Sequence, residues 1–247
     1  MMADHIMTQF RQALYDRYLS TFKDDGSWER KRAIIHSWCE QNLQPFLKTL
    51  SKKSRILELG CGQGQVLDFL NEQGFSSVEG VDTSKEQVMV AKRYGLQVYH
   101  SDVFDFLQAS HQAYDLILAI DFVEHFTRQE LIQLLYGLKE ILNKGGHLIL
   151  RTPNGQGIFA GQIIYGDLTH LTILTPQSLR QILRFTGFET VSMKESLFSS
   201  RDLKRKIRYM LWNLLKIGLN MMRRISSGKS QDIWTENFVC IAKIDDQ

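Results

Sequence analysis

The sequence predicts an α/β domain in which a mostly parallel sheet is covered by helices on both faces. Strand-like apolar segments alternate with helix-like segments between residues 54 and 195. The segment Tyr114–Ile120 is almost uniformly apolar, as a central parallel strand is. A glycine-rich turn, Gly60–Gly64, follows the first strand. With 247 residues and a hydrophobic fraction of 43%, the chain can form one large domain of this kind.

Hydrophobic periodicity and turn residues predict the individual elements in order. The expected strands are Arg55–Leu59, Val78–Val81, Leu96–His100, Tyr114–Ile120, Gly146–Thr152, Phe188–Ser192 and Asn237–Ile244. The expected helices are 4–22, 28–50, Gln65–Gln73, Ser84–Tyr94, Thr127–Leu142 and Pro176–Thr186. The first two helices precede the sheet, and we expect them to cap the site or the sheet edge.

The glycine turn and the acid after the second strand predict a site for an adenosine-containing cofactor. Gly60, Gly62 and Gly64 let the backbone approach a ligand closely. Asp82 lies about 20 residues past the first glycine, where an acid accepts hydrogen bonds from ribose hydroxyls. The alternative is a tight strand-to-helix turn that binds no ligand.

The spacing and charge of this segment favour one cofactor over others. A dinucleotide site has the pattern G-x-G-x-x-G, whereas here Gln65 follows Gly64, and no Gly-Lys-Ser/Thr of a phosphate loop is present. Glu58, inside the strand, would repel a pyrophosphate. It suits S-adenosyl-L-methionine, which carries a sulfonium and an amino group.

The segment from Glu58 to Gly64, with Asp82, resembles motif I of the class I S-adenosylmethionine-dependent methyltransferases. The resemblance covers roughly residues 54–195 and the last strand. It implies a Rossmann-like, seven-stranded sheet in which the last strand runs antiparallel beside the fifth. It also implies that Asp82 binds the ribose.

The same resemblance assigns further residues to the cofactor. Asp102 matches the acid that meets the adenine amino group, and Val103 matches the residue that packs on the ring. Asp121 matches a polar residue near the methionine end. The alternative for Asp102 is a cap on the helix that follows it.

Two histidines are the candidate bases for the methyl acceptor. Glu124-His125 matches an acid–histidine pair of small-molecule methyltransferases. The Gly-Asp-x-Thr-His segment that ends in His170 resembles one in methyltransferases of glycan and polysaccharide biosynthesis. We expect His170 to be the base, with Asp167 orienting its ring, because a hydroxyl acceptor must lose a proton. The alternative for each histidine is a loop-stabilising role.

Several classes of protein and site are not indicated. Cys39, Cys61 and Cys240 give neither a disulfide framework nor metal-ligand spacing, so we expect a reduced, cytoplasmic compartment. No H-E-x-x-H or paired C-x-x-C is present, and we expect no metal. The N-terminus lacks the features of a signal peptide, and no run of 18 apolar residues is found.

Residues 201–230 differ in charge from the rest of the chain. They hold nine of the 30 basic residues and one of the 27 acidic ones, a net charge of +8, which leaves −5 elsewhere. Apolar residues recur at three-and-four spacing over six turns, at Leu203, Ile207, Met210, Leu211, Leu214, Met221, Met222 and Ile225.

A basic amphipathic helix of this kind is typical of a peripheral helix on an anionic membrane. The alternatives are packing on the sheet edge and a dimer interface. No nucleic-acid-binding motif accompanies the charge, so we do not expect nucleic acid as a partner.

The predicted organisation has three parts: an N-terminal helical cap (1–53), a methyltransferase domain (54–200 and 231–247) and a basic helical insertion (201–230). The leading hypothesis is methyl transfer from S-adenosylmethionine to a hydroxyl of a sugar or lipid-linked glycan. The alternatives are N- or O-methylation of a soluble small molecule and a non-catalytic scaffold. The oligomeric state is left open.

Overall fold

A computed structural model describes residues 11, 13–15, 17, 27–110, 112–197 and 203–245. Most of the predicted helix 4–22 therefore lies outside the described residues.

Seven strands form one sheet with the order β3-β2-β1-β4-β5-β7-β6. All neighbouring pairs are parallel except those of β7, which runs antiparallel to both β5 and β6. This confirms the predicted seven-stranded, mostly parallel sheet with the last strand beside the fifth. The strands are β1 (Arg55–Leu59), β2 (Ser77–Asp82), β3 (Val98–His100), β4 (Tyr114–Ile120), β5 (Leu142–Pro153), β6 (Phe188–Glu195) and β7 (Asn237–Ile244).

Helices cover both faces of this sheet. The α-helices are α1 (Trp28–Asn42), α2 (Gln44–Leu47), α3 (Gln65–Glu72), α4 (Lys85–Arg93), α5 (Val103–Ala109), α6 (Arg128–Ile141), α7 (Gly161–Gly166), α8 (Pro176–Phe185) and α9 (Leu203–Ser227). A 3-10 turn at Val123–His125 follows β4.

Four predicted boundaries were wrong. Strand β6 continues past Ser192 to Glu195, and the other three differ for local reasons. The helix expected at 28–50 is divided at Leu43, because Pro45 has no N–H to continue the helical hydrogen bonds. The N–H of Leu96 donates to the carbonyl of Ala91 in α4, so Leu96 belongs to the end of that helix and β3 begins only at Val98. Strand β5 begins earlier than expected, at Leu142, which pairs with Tyr114 across an irregularity in register.

The period of two in the central strands places alternate residues in two hydrophobic layers. Leu57 and Ile117 lie in one layer, whereas Ile56 and Leu116 lie in the other, with Trp38 from α1. The strand order reverses between β1 and β4, since the chain builds outward from β1 to β3 and then returns to β4. Ligands bind at such a point, beyond the carboxyl ends of the strands.

The basic helix α9 turns its polar side toward the domain. Trp212 and Lys216 both donate to the carboxylate of Glu195, and Asn220 accepts from the backbone of Gln231. The large apolar side chains are on the opposite side and exposed: Leu203, Ile207, Met210, Leu211, Leu214, Leu215, Ile217, Met221, Met222 and Ile225. Among the described residues, no helix has both the length and the apolar character needed to cross a membrane.

We expect Glu195→Gln to loosen α9 without unfolding the domain. Hydrogen bonds to a charged group contribute about 1.5–3 kcal/mol, so amide exchange in α9 should speed up by about 10- to 100-fold. Hydrogen exchange read by mass spectrometry measures this. The matched control is Glu189→Gln on the same strand, which breaks only a surface ion pair with Lys243. Equal exchange in the two variants would contradict the anchoring role of Glu195.

Candidate functional site

A cavity of about 450 Å³ lies at the carboxyl ends of β1, β2 and β4. This volume is in the range of sites for small molecules, about 300–1,000 Å³. The predicted site residues that line it are Glu58, Gly60, Gly62, Asp82, Asp102, Val103, Asp121 and His125. Gly64, Asp167 and His170 do not line it, although they contact elements that do.

The glycine turn after β1 has a backbone that other residues rarely adopt. The φ angles of Gly60, Gly62 and Gly64 are +63°, +55° and +81°. A Cβ atom at Gly60 would overlap the ring of Phe122, and one at Gly64 would overlap the side chain of Leu96. The glycines therefore serve both the backbone conformation and the close packing of the turn.

Asp82 connects this turn to the end of β2. Its Oδ2 accepts from the Gly62 N–H at 2.8 Å, and its Oδ1 accepts from the Ser84 N–H at 2.7 Å. Burial raises the pKa of Asp82, while these two hydrogen bonds and the nearby His100 oppose the rise. Each carboxylate oxygen has a second lone pair, so Asp82 retains the capacity to accept from a ligand.

Glu58 carries an unsatisfied carboxyl group beside the cavity. It is 3% exposed, and its Oε2 has no hydrogen-bond partner among the described residues. Burial, and then the charge of Asp82, hold the pKa of Glu58 well above its ordinary value. A ligand with a cationic group would compensate this carboxyl, so the site fits S-adenosylmethionine rather than a nucleotide phosphate.

Asp102 and Val103 lie together at the start of α5. The Oδ1 of Asp102 accepts from the Phe104 N–H at 2.8 Å, so this residue is a helix N-cap. Both residues also line the cavity. The helix-cap alternative is thus correct, and it leaves the adenine-binding role of Asp102 as a prediction.

Asp121 has an unusual backbone for a residue with a side chain. Its φ of +51° is the only positive value among the described non-glycine residues. Its N–H donates to the carbonyl of Arg151, and its carboxylate lies 3.1 Å from the Arg151 guanidinium. Both contacts hold Asp121 at the end of β4, on the cavity wall.

Glu124 is a buried acid directly behind the cavity wall. It is 2% exposed, and burial, with a smaller effect of the Asp121 charge, raises the pKa of Glu124 to about 8. Thr152 donates to its Oε2 at 3.1 Å, whereas its Oε1 has no partner among the described residues. Its backbone carbonyl accepts from the N–H groups of Leu171 and Thr172, which fixes the loop that carries His170.

The tautomer of His125 follows from its neighbours. Thr169 Oγ1 donates its one proton to Asp167 Oδ1 at 2.5 Å, so the same oxygen accepts from His125 Nδ1 at 2.8 Å. The carbonyl of Thr169 lies 3.3 Å from the same nitrogen. In the neutral ring the proton is therefore on Nδ1 and the lone pair on Nε2.

The predicted pairing of Asp167 with His170 was wrong. The carboxylate of Asp167 accepts from the hydroxyl of Thr169, which in turn contacts His125. His170 Nδ1 instead lies 3.3 Å from the carbonyl of Ile164. That carbonyl is an acceptor only, so His170 also carries its proton on Nδ1. The two imidazole rings nevertheless lie together, with centroids 4.9 Å apart.

Sequence reasoning missed several residues of the site. Thr169 links Asp167 to His125, and its place inside the Gly-Asp-x-Thr-His segment was the available signal. Phe122 fills the space that Gly60 leaves. Arg11, Tyr15 and several residues of α1 also line the cavity, and only their position before the first strand pointed to them.

A family model described as a methyltransferase domain matches residues 28–193, which is more than half of the chain. The chain therefore belongs to this family of methyltransferases. Membership confirms the predicted enzyme class and S-adenosyl-L-methionine as the cofactor.

Two groups of curated relatives are similar to the chain. It is 30% identical over 189 residues to a tRNA U34 carboxymethyltransferase of Ectopseudomonas mendocina (strain ymp), covering 72% of this chain and 58% of the relative. It is 26% identical over 106 residues to a ubiquinone biosynthesis O-methyltransferase of Vibrio atlanticus (strain LGP32), covering 40% of this chain and 44% of the relative. The chain thus spans about half the length of these relatives. Neither name supports the predicted resemblance to glycan enzymes.

Solved structures support the fold. A SAM dependent methyltransferase from Archaeoglobus fulgidus superposes with a TM-score of 0.66 at 23% identity, covering 92% of this chain and 98% of that one. Magnesium protoporphyrin IX methyltransferase from Synechocystis PCC 6803, with bound SAH, gives 0.61 at 14% identity, covering 97% and 99%.

We expect Gly60→Ala to lower the affinity for S-adenosylmethionine by at least about tenfold, because the added methyl would displace Phe122 from the cavity wall. Isothermal titration calorimetry measures this. The control is Gly74→Ala, which has a φ of +84° in open space. Both variants lose about 1–2 kcal/mol of stability from the left-handed backbone. Equal affinities in the two variants would contradict the role of Gly60.

Proposed function

We propose that this protein transfers the methyl group of S-adenosylmethionine to a hydroxyl oxygen of a lipid-linked acceptor at an anionic membrane surface. One observation carries the proposal: a single cavity extends from the pinned glycine turn and Asp82 to His125, whose lone pair is on Nε2. The first part suits the cofactor, and the second part suits the acceptor.

The cofactor is held, in this proposal, by groups along three strand ends. The ribose hydroxyls donate to Asp82, and the adenine packs on Val103 with its amino group near Asp102. Glu58 and Asp121 face the amino and sulfonium charges. The supporting observation is that Glu58 is buried with an unpartnered oxygen, which a cationic ligand group would satisfy.

The bound cofactor supplies an electrophilic methyl carbon on a positively charged sulfur. The protein must hold the acceptor oxygen in line with that carbon, which supplies much of the rate. A hydroxyl must also lose its proton, and the Nε2 lone pair of His125 is the proposed acceptor of that proton. Asp167, through Thr169, keeps this tautomer in place, and His170 lies beside the ring.

An oxygen acceptor explains these histidines better than a nitrogen acceptor does. An amine that is already unprotonated needs no base, whereas a hydroxyl does. One group of relatives carries the name O-methyltransferase. A sugar of a lipid-linked glycan and another hydroxyl-bearing ring on a lipid both fit this chemistry.

We expect Asp82→Ala to lower the affinity for S-adenosylmethionine by about 100-fold, or about 3 kcal/mol, because two hydrogen bonds to a carboxylate are lost. Isothermal titration calorimetry on the folded protein measures this. Asp105→Ala, an exposed acid outside the cavity, is the control and should bind as the parent does.

Failure of the parent protein to bind S-adenosylmethionine would contradict the methyl-transfer proposal, and so would equal binding by Asp82→Ala. Incubation with methyl-labelled cofactor and membrane or soluble lysate fractions then tests the acceptor. Label in a soluble small molecule would favour the soluble alternative.

The membrane part of the proposal is supported by helix α9. The face of α9 that Leu214 and Met221 belong to is apolar and exposed, and the opposite face holds the polar contacts to Glu195 and Gln231. Lys204, Lys206 and Arg224 are exposed on the same helix. An exposed apolar stripe on a basic helix suits insertion at the boundary between headgroups and acyl chains.

Two other occupants of this surface compete with a membrane. RNA is one, since a relative is named for tRNA. Phosphates would use the basic side chains but would leave ten large apolar side chains exposed to water. A second copy of the chain is the other, and it would have to bring two positively charged helices together.

We expect the protein to float with anionic liposomes and to lose this binding on the double change Leu214→Glu with Met221→Glu. Burial of one such side chain contributes about 1.5–3 kcal/mol, so the partition coefficient should fall by at least about 100-fold. The control, Phe185→Glu with Val191→Glu, changes two exposed apolar residues outside α9 and should bind normally.

The membrane proposal fails if the parent protein does not bind these liposomes. It also fails if the protein binds structured RNA but not lipid, and if the variant with Leu214→Glu and Met221→Glu still binds that RNA.

A further inference from the structure

Three side chains next to the cavity form a group with the chemistry of a metal site: Glu124, His125 and His170. One possible ligand atom from each lies within 4.8 Å of the other two. Two imidazoles and a carboxylate bind Zn²⁺ and other divalent transition metals, and such three-ligand sites keep a position open for substrate.

In both rings Nδ1 makes the kind of contact that the second nitrogen of a metal-binding histidine commonly makes. His125 Nδ1 bonds to Thr169, which is itself bonded to Asp167, and His170 Nδ1 bonds to the carbonyl of Ile164. Histidines that bind a metal through one nitrogen commonly donate the other N–H to a carbonyl or carboxylate system. In the neutral form of both rings the lone pair is thus on Nε2, the nitrogen that would bind the ion.

The carboxylate supplies a second, independent observation. Glu124 is 2% exposed, and its Oε1 has no hydrogen-bond partner among the described residues. Leaving a buried carboxylate oxygen unsatisfied is costly, and native structures do so mainly where a ligand, ion or reaction uses it. Thr152 holds the other oxygen, so the carboxylate orientation is fixed.

We propose that Glu124, His125 and His170 bind one divalent transition-metal ion beside the part of the cavity that His125 lines. This departs from the sequence expectation of no metal and deepens the proposed function, on which its catalytic meaning rests. The metal then takes the place of the His125 lone pair in activating the acceptor hydroxyl. The acceptor hydroxyl binds the open position, and its O–H bond breaks with loss of the proton to water. The oxygen then forms the new C–O bond as the C–S bond breaks, which leaves a neutral thioether.

A second acid–histidine group provides a built-in control. His36, Asp68 and Glu72 also have ligand atoms within 4.8 Å of one another. There, however, the guanidinium of Arg32 already pairs with Asp68 at 2.6 Å and with Glu72. This group is outside the cavity and already has its compensating cation.

The test is titration of chelator-treated, full-length protein with CoCl₂, followed by calorimetry and visible absorption. We expect one equivalent to bind to the parent. Binding should weaken by at least about 100-fold in Glu124→Gln and in His170→Gln, and should be unchanged in His36→Asn. Glu124→Gln keeps the shape of the side chain, and His170→Gln is a second variant at a less buried position. S-adenosylmethionine affinity of each variant, measured on the same samples, reports that the fold is intact.

The inference is overturned if the parent binds no stoichiometric cobalt, or if His36→Asn is the variant that loses it. It is also overturned if both site variants fold and bind as the parent does. Retained S-adenosylmethionine binding in any of these cases leaves the methyl-transfer proposal standing, with His125 acting directly as the base. Loss of S-adenosylmethionine binding in the parent would instead contradict the proposed function itself.

Discussion

The hydrogen bonds that Asp82 accepts from Gly62 and Ser84 hold the site together. They fix the glycine turn against the end of β2, and the fixed turn leaves at Gly60 the space that Phe122 occupies. Phe122 belongs to the loop after β4, and that loop carries Asp121, Glu124 and His125. The backbone carbonyl of Glu124 in turn holds the segment that includes His170. The loops after β1 and β4, between which the strand order reverses, are thereby held in place through the carboxylate of Asp82.

The site also contains buried carboxyl groups whose ionised form the protein itself does not stabilise. Glu58 and Glu124 are nearly inaccessible, each has a carboxylate oxygen without a partner among the described residues, and burial raises the pKa of both. Such groups reduce stability, and they are concentrated where a cationic ligand or an ion would be bound. Their separation along the sheet, one on β1 and one after β4, matches the proposed cofactor region and the proposed acceptor region. Stability and function are therefore opposed at these two positions.

Much of the fold followed from the sequence because it depends on local periodicity. The apolar strands, the glycine turn and the capped helix α6 were each specified within a few residues. The position of Glu58 and Asp82 at the strand ends, beside the cavity, was specified in the same way. The pairing of Asp167 with His170 was wrong because, within this turn, the N–H and hydroxyl of Thr169 both donate to the Asp167 carboxylate, while the His170 ring contacts the carbonyl of Ile164. The sequence also could not predict which face of α9 packs on the domain. Periodicity shows that the helix has an apolar face, but it does not show which other residues the helix contacts. Glu195, far away in sequence, decides that the polar side faces the domain.

The most direct measurement of the central claim is a crystal structure of the protein with S-adenosylhomocysteine. We expect the ligand in the cavity between β2 and β4, with its ribose hydroxyls within hydrogen-bond distance of Asp82 and its sulfur on the side of Asp121 and His125. An empty cavity at saturating ligand would contradict cofactor binding at this site. So would a ligand whose ribose lies away from Asp82, because the pinned turn would then have no role in binding.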